Sequence, residues 1–321
     1  MPDAARLAAL PSLLNSSAGM PSWAAQHRPS RIYFGVEFCQ HLLPSEADVI
    51  AAAEQCRSRG LGMTLLTPYV TDGWLDPVSR LVKTLIEVKA PDPEVVLNDW
   101  GLLRRLRREF EGQVEWVLGR GLHRMMRDPR LADVGPEHLG GDTQPDLWLE
   151  GSYSSREFRL LLAELALHRV EIDYPLQGLR DLEDFPLNFS LHLPYGMIAS
   201  GRNCMVSSYG KPPSLRFMVP IACDAPCRDF TIHLRAPWSR RGLGNNALPL
   251  LDANPAPSPS FPPSRRVESL PPSGADPSPR FLQKGNTHFY ELNEDQILAA
   301  LQWAASQRGL DRVVVEPALP M

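Results

Sequence analysis

The side chains best suited to chemistry in this chain are four of its five cysteines: Cys39, Cys204, Cys223 and Cys227. The last two stand as Cys-Asp-Ala-Pro-Cys, Cys204 lies nineteen residues ahead of Cys223, and Cys39 follows an apolar stretch near the start. Thiolates are soft donors that select zinc, copper(I) or iron–sulfur centres. In a chain with no clear secretory signal, they form a ligand set before they form a disulfide framework. Spacing then bears on the metal. Structural zinc sites usually pair cysteines closely twice over. Here one close pair exists, and the other two thiols come from distant segments, which suits a 4Fe–4S cluster held by four thiolates. Zinc, and four unconnected buried thiols, stand as the alternatives. Cys56 falls on the apolar face of an expected helix and reads as a small buried hydrophobe.

Strands alternating with helices must position those thiols. Arg31–Phe38 reads as an apolar strand ending beside Cys39. Ser45 with Asp48 predicts a capped helix carrying Val49, Ala53 and Cys56 on one face, closed by Arg57, Arg59 and Gly60. Met63–Thr67, Glu94–Asn98, Val114–Leu118 and Val170–Asp173 follow as strands. Helical stretches are expected over Val78–Val88, Leu102–Phe110 and Phe158–Leu167, the last capped by Ser154 and Glu157. After the apolar segments Pro186–Ile198 and Leu215–Ile221, Asn293 and Gln296 cap a helix over Ile297–Gln307, and Arg312–Val315 closes the chain as a strand. This alternation implies βαβ units and a parallel sheet, and their number favours a single α/β domain shaped as a (β/α) barrel over an open sheet. In such folds the working site lies at the carboxyl ends of the strands, where Cys39 is placed.

Residues 1–28 read as a flexible tail, with the domain running over 29–321. Residues 249–281 interrupt it: the stretch from Pro249 to Pro279 holds ten prolines, has no periodicity, and is expected to be a disordered insertion. A net charge of −4 gives no electrostatic case for nucleic acid or anionic membranes. No apolar run approaches the roughly 18 residues that span a bilayer, so a cytoplasmic protein is expected.

Weaker candidates surround the thiols. Glu37, Asn98, Asp99 and Asp173 stand at or near strand ends, where polar residues handle substrates but also cap and turn. Tyr195, Arg202 and Tyr209 flank Cys204, as channel lining or as packing around the metal. His192 reads as a satisfied structural histidine, and Arg104–Arg108 as the solvated face of an amphipathic helix. The sequence contains no phosphate loop, nucleophile elbow, H-E-x-x-H or dinucleotide fingerprint.

Several blocks together resemble peptidase family U-32, the collagenase-like proteins, and within it the branch serving ubiquinone biosynthesis. They are Arg31–Cys39, Glu94–Gly101, Leu193–Cys204 and the Cys223-x3-Cys227 pair, over about residues 30–235. The resemblance implies a barrel-like α/β fold and a 4Fe–4S cluster on Cys39, Cys204, Cys223 and Cys227. It further implies a role in oxygen-independent hydroxylation of a small aromatic quinone precursor, alongside a related U-32 subunit in a hetero-oligomer. Other branches modify RNA bases, and some members are described as peptidases. The proline-rich insertion and the N-terminal tail depart from the family pattern.

Overall fold

The computed structural model describes residues 28–128, 148–182, 185–216, 218–219, 222–234 and 280–320. The expected tail (but for Arg28) and nearly all of the expected insertion lie outside these residues; Arg280 and Phe281, at the insertion's end, open a strand. In chain order the elements are β1 (Arg31–Gly35), α1 (Glu46–Arg59), β2 (Gly62–Leu66), α2 (Leu75–Glu87), β3 (Pro93–Leu97), α3 (Trp100–Glu109) and β4 (Glu115–Leu118). Then come α4 (Arg156–Glu164), β5 (Arg169–Asp173), β6 (Asn188–Leu193), β7 (Tyr195–Ser200), α5 (Met205–Ser208), α6 (Pro213–Arg216) and β8 (Ile232–Leu234). β9 (Arg280–Lys284), β10 (Thr287–Glu291), α7 (Glu294–Ser306) and β11 (Leu310–Val315) complete the chain.

Side-chain capping sets where α1, α4 and α7 start. Ser45 and Asp48 form the expected capping box, and Gly60 ends α1 in the left-handed conformation at φ 66°. Asn293 and Gln296 form a second capping box before α7. The cap of α4 is Ser155, one residue later than expected: its hydroxyl accepts from the Phe158 amide, and Ser154 is spent in a preceding 3-10 turn.

Seven strands form one parallel sheet in the order β1-β2-β3-β4-β5-β6-β11. Its curvature follows from reach. Across seven flat strands, β1 and β11 would stand about 29 Å apart at roughly 4.8 Å per neighbour. Yet Arg312 of β11 donates to the Tyr33 hydroxyl of β1 at 2.9 Å and to Glu94 of β3 at 2.7 and 2.9 Å. The sheet is therefore a half barrel. A second sheet, antiparallel in the order β7-β10-β9-β8, was not foreseen. The apolar segment Pro186–Ile198 supplies a strand to each sheet, divided at the cis Leu193–Pro194 bond. Among the described residues of the segment Leu215–Ile221, Leu215 lies in the short α6, and Met218 and Val219 are exposed.

The two faces of the half barrel differ. Val170, Ile172, Phe189 and Leu191 point outward into the core shared with the helices, while Glu171, Asp173, Ser190 and His192 alternate with them and are buried on the concave side. Parallel strands packed on both faces usually read as continuous apolar runs; the alternation here follows from a polar lumen.

Candidate metal centre

Cys39 reaches its position by an abrupt exit from β1. Gly35 has φ 118°, and a Cβ there would sit 2.5 Å from the Leu66 carbonyl oxygen, so only glycine lets the chain leave the sheet so close to β2. Four residues later Cys39 stands in extended conformation before the 3-10 turn Gln40–Leu42. Cys204 follows β7 and is the N-cap of α5, its Sγ accepting from the Ser207 amide at 3.3 Å. Cys223 accepts from the Ala225 amide at 3.4 Å. Cys227 sits in the turn Pro226–Arg228, entered through Ala225 at φ 54°.

All four of these cysteines line one pocket, together with His41, Leu42, Arg202, Ala225, Lys284, Gly285 and Asn286. Cys204 and Cys227 are buried, Cys39 and Cys223 half-buried, and all five cysteines of the chain are free thiols. Val36, Leu42, Val206 and Ala225 make an apolar wall behind them. Asn286, in the β9–β10 turn, clasps the two strand exits that deliver Cys39 and Cys204. Its side-chain amide donates to the Phe38 carbonyl and to the Gly201 carbonyl, each at 2.7 Å. Gly285, at φ 58°, leaves room for Cys227: a Cβ there would lie 3.4 Å from the Cys227 Cβ and Sγ.

The electrostatics follow from burial and from the closeness of the sulfurs to one another. Burial pushes the Cys39 thiol up to about 12, partly relieved by the His41 amide and reinforced by the other three sulfurs. Cys227 is raised by burial, then by Cys204 and Cys223. Four thiolates cannot share this pocket unless a metal offsets their repulsion, because metal binding inverts the local ionisation order. Backbone amides aimed at sulfur and an apolar wall are the surroundings that tune thiolate-bound metals. The donor set fits a tetrathiolate centre. The space now enclosed among the thiols is about 20 Å³.

The weaker candidates are placed otherwise. Asn98 is a staple, donating to the Thr67 carbonyl and accepting from the Gly121 amide. Asp99 caps α3 through the Leu102 amide, accepts from the Val70 amide, and pairs with Arg202 at 3.5 Å. Arg202 does line the pocket, whereas Tyr195 and Tyr209 do not. Cys56 is fully buried in the main core, as its apolar position implied.

Glu37 and Asp173 belong to a separate buried network centred on Arg120. Its guanidinium binds both oxygens of Glu37 (3.0 and 2.5 Å), Asp173 (2.9 Å), Glu316 (2.8 Å) and the Tyr195 carbonyl (3.3 Å). Arg127 makes a second ion pair with Asp173 at 2.6 Å. His192 is held between Glu171 at 2.5 Å and Glu316 at 3.0 Å. Glu37, His192 and Glu316 lie close enough to ligate one ion, but Arg120 already fills that position with a cation of the protein's own. Sequence reading missed Arg120, His41, Lys284 and Asn286. The Gly285-Asn286 pair between two β segments is a hairpin signal that points to the last of these; nothing local marks the others.

The arrangement thus defines an α/β protein with a four-thiol pocket at the carboxyl edge of a parallel half barrel. Compared with protein-family models, with curated proteins and with solved structures, the chain shows no match. No helix among the described residues is long and apolar enough to cross a membrane.

Proposed function

We propose that Cys39, Cys204, Cys223 and Cys227 hold a 4Fe–4S cluster in a cytoplasmic protein of an oxygen-independent hydroxylation system. The observation that carries this reading is that four thiols from three separate chain segments line one pocket. When bound, such a cluster supplies single-electron chemistry that needs no dioxygen. The chain's own part is to hold the thiols by the Asn286 clasp, to aim the His41, Ser207 and Ala225 amides at sulfur, and to offer Arg202 and Lys284 as counter-charges at the rim. The sequence resemblance to family U-32 supports the rest of the proposal: a closed barrel-like fold, a quinone-precursor substrate, and a related U-32 subunit as partner. RNA-base modification is the alternative within the same family. A peptidase role has less support, since His192 has both ring nitrogens engaged by carboxylates and is not free to activate a nucleophile.

A single zinc is the second reading. The close Cys223–Cys227 pair suits it. Anaerobic purification with iron, sulfide and zinc quantitation separates the two. About four irons and four sulfides per chain, lost on substituting Ser at any of the four positions and retained in Cys56→Ser, is the expected result. A colourless protein carrying one zinc would overturn the cluster.

A further inference from the structure

The arginine run of α3 does more than face solvent. Arg105 is neutralised, pairing with Asp76 at 2.5 Å and Glu109 at 2.7 Å. Arg104, Arg107 and Arg108 have no partner among the described residues and line an open trough of about 450 Å³ with Trp100, Leu103, Glu111 and Leu165. Three cations against one carboxylate leave this trough at +2 on a chain whose net charge is −4. Its floor is apolar. Leu103 is buried, Leu165 is partly buried at the end of α4, and Trp100 is 38% exposed with its ring meeting Phe158 of α4 edge-on at 6.4 Å. Leu161, one turn before Leu165, is 40% exposed and extends the strip along α4.

We propose that this trough between α3 and α4 is a docking site for an acidic amphipathic helix of a partner protein. Tryptophan and arginine are the residues most enriched at interface hot spots, and lysine is depleted there; the trough offers the first two and no lysine. Guanidinium forks pair with carboxylates in two-point geometry, which an ammonium cannot do. An apolar floor between two helices, flanked by an excess of positive charge, matches the helix-in-groove mode of recognition. Nucleic acid is disfavoured, because Arg104 to Arg108 span only about 6 Å of helix rise and the chain as a whole is acidic. The site is independent of what the thiols hold.

The test titrates the full chain into a fluorescent synthetic helix with leucines on one face and glutamates beside them, read by anisotropy. A version with every Glu replaced by Lys and a single-stranded oligouridylate serve as competitors. The expected result is saturable binding of the Glu peptide alone. Binding should be weakened about tenfold or more by Trp100→Ala and by Arg104→Glu with Arg108→Glu, and left unchanged by Arg105→Gln. Arg104 and Arg108 are exposed and unpartnered, so circular dichroism should show their variant folded. No saturable binding, equal binding of the Lys peptide, or an undiminished affinity in the charge-reversed variant would overturn the proposal. Tighter binding of the oligouridylate would reassign the trough to nucleic acid.

Discussion

Raising the pH from below 6.5 to above 9 should cost this protein about 3 kcal/mol of folding stability through a single side chain, His192. Burial pushes its imidazole toward the neutral form, and Arg120 pushes the same way. The hydrogen bonds to Glu171 and Glu316 outweigh both and raise it from 6.5 to about 9. The sign follows from which state holds the proton. Between those two values the folded chain keeps it and the unfolded chain releases it, so stability is fully present below 6.5 and is lost as pH climbs through about 9. At 1.36 kcal/mol per pH unit, that interval is worth about 3 kcal/mol. Urea unfolding followed by tryptophan fluorescence across this range, with thiols kept reduced and metal removed, measures it. His192→Gln should flatten the profile by that amount, whatever it does to absolute stability. An identical pH slope in the two proteins would refute the protonated, carboxylate-bracketed histidine.

Three further outcomes follow from the same packing. Arg120→Met removes the cation that Glu37 and Glu316 share, leaving Glu316 only His192, and should cost about 3–5 kcal/mol near neutral pH. That deficit should shrink in acid, where the abandoned carboxylates take up protons; denaturant midpoints at two pH values test it. Asn286→Ala leaves the Phe38 carbonyl without its amide donor, at about 1–3 kcal/mol, while the Gly201 carbonyl keeps the Tyr69 hydroxyl; it should lower metal content measured by mass spectrometry before it unfolds the chain. Gly285→Ala places a Cβ against Cys227 at a left-handed φ, costing about 1–2 kcal/mol, and should loosen metal retention against a chelator while leaving far-ultraviolet circular dichroism intact.

Much of the frame was legible because its signals are local. Each capping box depends on residues three apart, and each parallel strand on a short apolar run, so the βαβ order, α1 with its Gly60 stop, and α7 could be read directly. The four thiols were legible by type, since few side chains besides cysteine offer a soft donor. The chain by itself therefore determined which soft donors are present, the alternation of elements and the burial of Cys56. Only the tertiary structure decided the rest. The second sheet depends on antiparallel pairing of β7 with β10, some ninety residues apart, which no local pattern encodes. The Asn286 clasp joins residues 248 and 85 positions away. Arg120 gathers carboxylates from both ends of the described chain, Glu37 and Glu316, 196 positions apart from it at the farthest. Contacts of such range are set by how the sheet curls, and the curl is a property of the whole assembly of strands, not of any one segment.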